Sequence, residues 1–278
     1  MDAANLYFGH GTDNALDEAV FLVLRSLQLP FDVADQILDQ PLNEEQRQHA
    51  IDVVNERIAT RKPAAYLLGE CWFAGLRFFV NEHVLVPRSP FAELILERFS
   101  PWCRADSVMR ILDIGTGSGC IAIASALAFP GATVDAIDIS AEALAVAHRN
   151  VADYGLQGRV TLIESDLFQK LGGSRYDLII ANPPYVDAED FADMPPEYQH
   201  EPKSGLSGGV DGLAIVRRIL ESTGKHLMET GVLVVEVGNS ETALNEQYPH
   251  VPFLWLEFAR GGDGVFLLTR QELNQFFP

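Results

Sequence analysis

Apolar residues in the first part of the chain recur at helical spacing. Between residues 15 and 29 the apolar stripe consists of Leu16, Ala19, Val20, Val23, Leu24 and Leu27. This pattern predicts an amphipathic helix that Pro30 ends. Asn43 is a candidate N-cap for a second helix, and Pro63 opens a third, short one. We therefore expect residues 1–70 to form a small helical domain, which either serves helix packing alone or recognises a macromolecular substrate.

The pattern changes from helices to strands after Gly69. Aromatic and branched residues on both sides of Gly75 predict a β-hairpin between residues 71 and 80. A proline-containing segment, Val84–Pro90, follows the hairpin. We assign residues 71–90 to this hairpin and linker.

From Val108 onward, strands and helices alternate along the chain. Strands are predicted near residues 109–114, 132–138, 159–164, 176–181, 231–237, 253–258 and 264–269. Helices are predicted near residues 118–128, 141–154, 210–228 and 240–247. Such alternation indicates an α/β domain, assigned to residues 91–278, with a mostly parallel sheet wrapped by crossover helices. The turn Arg260–Gly264 favours an antiparallel pairing of the last two strands.

The composition is typical of a folded, soluble protein, with 47% hydrophobic and 21% charged residues. No apolar run reaches the roughly 18 residues of a membrane span, and the start of the chain lacks a secretory pattern. Cys71, Cys103 and Cys120 form no CxxC pair, which argues against disulfides and structural zinc. We expect a cytoplasmic protein that binds neither a membrane nor a metal.

The chain carries 39 acidic and 20 basic residues, a net charge of −19. Affinity for nucleic acids depends largely on basic groups that contact phosphates, so stable nucleic-acid binding is not expected. A basic protein partner, by contrast, would be attracted.

The segment Leu178–Tyr185 is the first candidate for chemistry. Its apolar run predicts a buried strand that ends at Pro183, because proline cannot donate a ladder hydrogen bond. Asn182 therefore lies at the carboxyl end of a strand, where ligands bind in open α/β sheets. The Asn182 side-chain carbonyl and the Pro183 main-chain carbonyl are two acceptors that suit a planar NH2 group, and Tyr185 adds an aromatic face.

A second candidate site follows the strand near residues 109–114. Asp113 precedes a glycine-rich turn made of Gly115, Thr116, Gly117, Ser118 and Gly119. Glycines allow a close approach of the backbone to a ligand, and the following helix supplies free amides. The spacing is GxGxG, so the GxGxxG of dinucleotide folds is absent. The turn fits a dinucleotide, a phosphate or an adenosine-type ligand, and Asp113 could meet the positive end of an amino-acid group.

The next two strands end in acidic residues at the same edge of the sheet. Asp138, about 20 positions after the glycines, is placed to accept both hydroxyls of a ribose, and Ser140 reads as the N-cap of the following helix. Asp166 would accept from an adenine amine. Leu167 and Phe168 would supply an apolar wall for the adenine ring.

These motifs together resemble the class I S-adenosylmethionine-dependent methyltransferases that modify a planar NH2 group. The similarity rests on the turn Gly115–Gly119, on Asp138 and Asp166, and on Asn182–Tyr185. With the helical domain and the linker, the chain resembles the protein-glutamine N5-methyltransferases over nearly its whole length. The resemblance implies a Rossmann-like, seven-stranded, mostly parallel sheet, S-adenosyl-L-methionine as cofactor, and no metal.

Two branches of this family differ in substrate, a class 1 peptide-release factor or ribosomal protein L3. The stretches similar to the ribosomal-protein branch are Tyr185–Asp190, His200–Pro202, Gly209–Leu213 and Glu236–Ser240. The linker keeps Arg88, a candidate linker contact, together with Pro90 and Glu93. Ser89, Phe91 and Ala92 depart from the release-factor motif Pro-Arg-Pro-(x)-Thr-Glu. The expected partner is therefore basic ribosomal protein L3, before or during ribosome assembly.

The resemblance also implies roles for the site residues. Asn182, Pro183 and Tyr185 would be catalytic, and with Pro184 they would bind the target glutamine. The cofactor would be bound by Asp113, Gly115, Thr116, Gly117, Ser118, Gly119, Asp138, Asp166, Leu167 and Asn182.

Three alternative functions stay open on sequence alone. The first is methylation of a release factor by the same chemistry. The second is adenine N6-methylation of nucleic acid, which uses a similar turn but is disfavoured by the charge of −19. The third is a binding module that has kept the fold without turnover.

Overall fold

The computed structural model describes residues 1, 4–12, 14–30, 39–259 and 261–278. Its α-helices are α1 (Ala15–Ser26), α2 (Glu44–Thr60), α3 (Ala64–Leu68), α4 (Phe91–Leu96), α5 (Cys120–Ala128), α6 (Ala141–Asp153), α7 (Ala188–Asp193), α8 (Lys203–Leu206), α9 (Ala214–Thr223), α10 (Glu241–Gln247) and α11 (Arg270–Phe276). Its strands are β1 (Glu70–Phe73), β2 (Leu76–Phe79), β3 (Arg110–Ile114), β4 (Thr133–Asp138), β5 (Val160–Glu164), β6 (Tyr176–Ala181), β7 (Leu227–Glu236), β8 (Leu254–Trp255) and β9 (Val265–Thr269). None of the described helices is both long and apolar enough to cross a lipid bilayer.

Seven strands form one sheet in the order β5-β4-β3-β6-β7-β9-β8. Strands β3 to β7 pair in parallel, whereas β9 is antiparallel to β7 and to β8. The predicted seven-stranded, mostly parallel sheet and the antiparallel pairing of its last two strands are therefore confirmed. Arg260, the first residue of the turn predicted between those strands, lies outside the described residues.

Both faces of the sheet are covered, which explains the continuous apolar strands. On β6, Leu178 and Ile180 belong to the core layer that contains α5 and α6, and Ile179 and Ala181 belong to the opposite layer. The chain leaves β3 toward β4 on one side, and it leaves β6 toward β7 on the other side. The carboxyl ends of β3 and β6 therefore meet at the switch point of the sheet, where a ligand crevice forms.

The helical unit at the start of the chain is fastened to the rest by buried charges. Arg57 of α2 is fully buried and lies 2.8 Å from Glu18 of α1 and 3.7 Å from Glu197. Arg61 also contacts Glu197, at 2.9 Å, and the Tyr7 amide donates to it at 3.1 Å. Residues from the beginning of the chain thus hold a segment that follows the Asn-Pro-Pro-Tyr turn.

The structure corrects the predicted apolar stripe of α1. Leu16 is 72% exposed and Val20 is 41% exposed, whereas Glu18 and Leu22 are buried. The helix turns Glu18 inward because this carboxylate pairs with Arg57, an interaction that outweighs the apolar pattern. The predicted N-cap Asn43 is confirmed, and it forms a capping box with residue 46.

Two predicted element boundaries differ from the structure, and one helix was missed. The helix predicted over 210–228 is the shorter α9, because the preceding loop has positive φ angles at Gly209 and Gly212. The strand predicted over 253–258 is reduced to the two residues of β8. Helix α11 was not predicted, although Thr269 and Glu272 form a capping box at its start.

Candidate active site

A cavity of about 570 Å³ opens at the carboxyl ends of β3, β4, β6 and β7, beside the linker. The predicted residues that line it are Arg88, Gly115, Thr116, Gly117, Ser118, Asp138, Asp166, Leu167, Asn182, Pro183, Pro184 and Tyr185. Three predicted residues, Asp113, Gly119 and Phe168, are not in its wall. The volume lies within the range of small-molecule sites. The structure thus gathers most of the predicted residues around one cavity.

The glycine turn after β3 is shaped by left-handed backbone conformations. Gly117 has a φ of +54°, and its amide donates to the Asp138 carboxylate at 2.9 Å. Gly119 has a φ of +81°, and a Cβ there would lie 3.2 Å from the Cβ of Ala147 on α6. Gly119 therefore allows α5 to pack against α6 without contributing to the cavity wall. Gly117 ties the turn to the neighbouring strand.

Asp138, at the end of β4, is held by two backbone amides. One carboxylate oxygen accepts from Gly117, and the other accepts from Ser140 at 2.9 Å. Burial raises the pKa of Asp138, and these hydrogen bonds oppose that effect. A carboxylate has about four acceptor positions, so two remain for a ligand. Ser140 caps α6 by accepting from Ala143 at 3.1 Å, which confirms its predicted role.

Asp113 lies beneath the glycine turn. It is fully buried, and one carboxylate oxygen accepts from the Thr116 hydroxyl at 2.6 Å. The other oxygen has no hydrogen-bond partner among the described residues. Burial raises the pKa of Asp113 to about 7. The structure places Thr116 between Asp113 and the cavity, so the predicted contact of Asp113 with a ligand stays a prediction.

The segment after β5 contributes one charged and one apolar residue to the cavity. Asp166 accepts two hydrogen bonds from Arg218, at 2.8 and 2.9 Å, and its carboxylate is therefore partly used by the protein. Leu167 lines the cavity. The expectation that Phe168 lies beside a ligand ring is wrong, because its ring stacks on His226 with centroids 4.6 Å apart. It packs in the core layer below, outside the cavity wall.

The Asn-Pro-Pro-Tyr turn starts one residue after β6 and presents two free acceptors. Within the described part of the chain, no donor is paired with the Asn182 side-chain carbonyl or the Pro183 main-chain carbonyl. The end of the turn is fixed instead. The Tyr185 main-chain carbonyl accepts from the Ser240 hydroxyl at 2.8 Å, and the Tyr185 hydroxyl donates to Glu236 at 3.0 Å.

The linker is held at the cavity by Glu201, a residue to which the sequence assigned no role. Glu201 accepts from the Val86 amide at 2.9 Å and from two Arg88 nitrogens at 2.6 Å each. His10 lies 3.4 Å from it. Burial alone would raise the pKa of Glu201, but the neighbouring His10 and the hydrogen bonds from Arg88 lower it to about 2. Arg88 also lies over the Tyr198 ring, 5.3 Å from its centre.

Three of the cavity-wall residues that sequence reasoning missed bear on the chemistry of the site. They are Ser89 from the linker, Tyr198 from the segment before Glu201, and Glu236 at the end of β7. The signal for Glu236 was its position, since an acidic residue at the end of a parallel strand faces the ligand edge. Among the described residues, no group of three or more His, Cys, Asp and Glu side chains is arranged to hold a metal ion.

Comparisons with known proteins are consistent with this geometry. A sequence profile of the methyltransferase small domain matches residues 92–194. The chain is 48% identical over 277 residues to the ribosomal protein uL3 glutamine methyltransferase of Francisella tularensis subsp. tularensis, across 99% of this chain and 88% of that protein. It is also 48% identical over 275 residues to the protein of the same name from Bordetella pertussis, across 99% and 92% of the two chains.

Solved structures show the same fold at low sequence identity. A methyltransferase from Pyrococcus furiosus matches 81% of this chain and 98% of its own, with a TM-score of 0.51 and 19% identity. At this identity the likeness concerns the fold alone. The seven-stranded α/β architecture described above is thus shared with class I methyltransferases.

Proposed function

We infer that the chain, which belongs to the family of ribosomal protein uL3 glutamine methyltransferases, methylates the side-chain amide nitrogen (N5) of a glutamine in ribosomal protein uL3, also written L3. The methyl donor is S-adenosyl-L-methionine, as the methyltransferase domain implies. The observation that carries this function is the pair of unpaired acceptors at Asn182 and Pro183. They line the same cavity as the glycine turn and Asp138.

We assign the donor to the half of the cavity formed by β3, β4 and the segment after β5. A Cβ at Gly117 would meet no atom within 4 Å, so the backbone there leaves room for a ligand to approach. Asp138 has acceptor capacity left for ribose hydroxyls, and Asp166 and Leu167 would contact the adenine. Asp113 would act from below, through Thr116. When bound, S-adenosyl-L-methionine supplies a methyl group activated by its sulfonium charge.

The target amide is assigned to the Asn-Pro-Pro-Tyr turn. An amide nitrogen is a poor nucleophile, because its lone pair is delocalised into the carbonyl, so the enzyme's main contribution is alignment. The Asn182 and Pro183 carbonyls would accept the two amide hydrogens and direct the nitrogen toward the methyl carbon. The N–C bond would form as the C–S bond breaks, which leaves S-adenosyl-L-homocysteine. The N-methylated amide is strongly acidic and would then lose one proton without a dedicated base. Alignment of this kind can lower a barrier by about 7 to 11 kcal/mol. The Tyr185 ring would pack on the glutamine side chain and exclude water.

The same acceptors explain selection against glutamate. A carboxylate has no hydrogens to donate, so the Asn182 and Pro183 carbonyls would be left unpaired and would repel its charge. A glutamine therefore fits the turn, and its hydrolysed form does not.

The net charge supports a basic protein substrate. The value of −19 favours capture of a ribosomal protein before RNA covers it, and it disfavours nucleic acid as the substrate. Because the substrate is a ribosomal protein, we expect the enzyme to act in the cytoplasm.

The test is transfer of a labelled methyl group from S-adenosyl-L-methionine into purified uL3 and, separately, into a class 1 release factor. Mass mapping identifies the modified residue. We expect label on a glutamine of uL3 alone. Label only on the release factor would overturn the substrate and keep the chemistry. If neither protein is labelled, although the enzyme binds S-adenosyl-L-homocysteine, the binding-module alternative is favoured.

A further inference from the structure

Glu236 joins three elements of the cavity wall through one buried carboxylate. One oxygen accepts from the Tyr185 hydroxyl at 3.0 Å, and the other accepts from the Ser89 hydroxyl of the linker. Glu236 is only 4% exposed, yet it lines the cavity. The four residues of β7 that precede it, Val232 to Val235, are all aliphatic. A buried acid with two hydroxyl donors calls for a functional explanation.

The sheet register places Glu236 next to the proposed acceptor pair. Ala181 of β6 is paired with Val235 of β7 in parallel, so the next residues on the two neighbouring strands are Asn182 and Glu236. Tyr185, three residues farther along the turn, returns to this edge and meets Glu236. The hydrogen bond therefore ties the end of the turn to the strand beside its beginning.

The Tyr185 ring is confined on a second side by the backbone after β7. A Cβ at Gly238 would lie 2.6 Å from Cε2 of Tyr185, so only a glycine leaves room for the ring there. The ring thus packs on Gly238 while its hydroxyl is held by Glu236. Two contacts from the same strand end, one steric and one polar, determine where the aromatic face lies.

We propose that Glu236 is a positioning residue for methyl transfer, which acts through Tyr185 by fixing its ring beside the acceptors at Asn182 and Pro183. The proposal rests on the proposed function. It requires the ionised carboxylate, because only that form accepts from the Tyr185 and Ser89 hydroxyls together. A protonated Glu236 has one oxygen that donates, so one of the two hydrogen bonds must be reversed or lost.

The ionisation of Glu236 falls in an accessible pH range. Burial raises its pKa to about 7, while hydrogen bonds from Ser89 and Tyr185 and the charge of Arg88 act in the opposite direction. These are the neighbours from the linker and from the turn that bear on its charge. Since the ionised form is the active one, kcat should fall as the pH drops below about 7 and level off above it.

The experiment measures kcat, KM for both substrates and the affinity for S-adenosyl-L-homocysteine from pH 6 to pH 9, in the wild type and in Glu236→Gln, Tyr185→Phe and the double variant. We expect each single variant to lower kcat roughly 10- to 100-fold at about pH 8, with S-adenosyl-L-homocysteine affinity nearly unchanged. The acid limb of the pH profile, which is the fall of kcat below about pH 7, should disappear in both single variants. The double variant should be no slower than the slower single variant, because the two residues act as one unit.

The chain offers a matched control on the other side of the sheet. Asp135 accepts from the Tyr176 hydroxyl at 2.8 Å and from Arg110 at 2.9 Å, which reproduces an acid, a tyrosine and a nearby arginine away from the cavity. Asp135→Asn should leave kcat and its pH profile unchanged. If it moves them as Glu236→Gln does, loss of any tyrosine-bound carboxylate explains the effect and the proposal fails.

The outcomes separate this proposal from the proposed function. Absence of methyl transfer by the wild type would refute the function itself. The positioning role alone would be refuted if the wild type transfers the methyl group and Glu236→Gln keeps both the wild-type rate and the wild-type fall of kcat below about pH 7. Should Glu236→Gln not fold, as judged by thermal unfolding, the Tyr185→Phe pH profile decides. An acid limb retained there contradicts the proposal.

Discussion

Two guanidinium nitrogens of Arg88 lie 2.6 Å from the two carboxylate oxygens of Glu201. The Glu201 carboxylate is fully buried, whereas the Arg88 side chain is 27% exposed. This two-point contact fastens the linker over the cavity. Arg88 also supplies most of the positive charge that balances the buried Glu201 carboxylate. The pair therefore couples the stability of the protein to the geometry of its site.

Removal of Arg88 should destabilise the protein strongly. Arg88→Ala leaves the Glu201 carboxylate buried with His10 and one amide as partners, and loss of one member of a buried pair costs about 3 to 5 kcal/mol. Denaturant unfolding measures this free energy. The control is Arg47→Ala, which breaks an exposed pair with Glu44 and should change it by less than about 1 kcal/mol. Equal losses in the two variants would contradict the assignment.

The contribution of Glu201 should depend on pH in a defined direction. Its folded-state pKa is about 2, below the ordinary value of 4.5. A depressed carboxylate stabilises the fold above the ordinary pKa, and this contribution is lost as the pH falls toward the folded pKa. The difference in unfolding free energy between wild type and Glu201→Gln should thus be largest above pH 4.5 and shrink toward pH 2. A difference that grows in acid would show that the assigned pairing is wrong.

Asn182→Ala should abolish methyl transfer without loss of the donor site. The side-chain acceptor is removed, while the glycine turn and Asp138 are untouched. We expect kcat to fall at least about 100-fold, and calorimetric titration with S-adenosyl-L-homocysteine to give nearly the wild-type affinity. A rate close to that of the wild type would remove Asn182 from the mechanism.

Asp138→Asn should weaken donor binding more than it slows turnover at saturation. An asparagine keeps one acceptor, but its NH2 group faces a backbone amide, either that of Gly117 or that of Ser140. We expect the affinity for S-adenosyl-L-homocysteine to fall roughly 10-fold or more, which corresponds to about 1.4 kcal/mol. Asp135→Asn, three residues earlier on the same strand, is the control and should bind normally.

Added salt should weaken capture of the protein substrate without changing the affinity for the methyl donor. The attraction between a chain of charge −19 and a basic ribosomal protein is screened as ionic strength rises. Between about 50 and 300 mM salt, kcat/KM for uL3 should fall several-fold, while the affinity for S-adenosyl-L-homocysteine should stay constant. A salt-independent kcat/KM would exclude electrostatic capture.

The elements that the sequence predicted best are those whose cause is local. Pro183 ends β6 because it lacks an amide hydrogen, and Asn43 starts α2 because its side chain caps the helix. The buried Glu18 and the Tyr185–Glu236 contact depend on partners 39 and 51 positions away. Sequence spacing cannot reveal such pairs, since they arise only after the strand order is known. The capping box of Thr269 and Glu272 is a local signal, so the start of α11 could have been predicted from the sequence.

The contacts of Glu197 have a consequence for the order of events during synthesis. The Tyr7 amide and Glu197 are 190 positions apart. At about 5 to 20 residues per second, roughly 10 to 40 s separate the appearance of these two partners on a translating ribosome. From the synthesis of Arg57 until that of Glu197, the emerging helices carry Arg57 without the second carboxylate that it contacts in the native fold. The first part of the nascent chain therefore docks late, after the segment beyond β6 has been made.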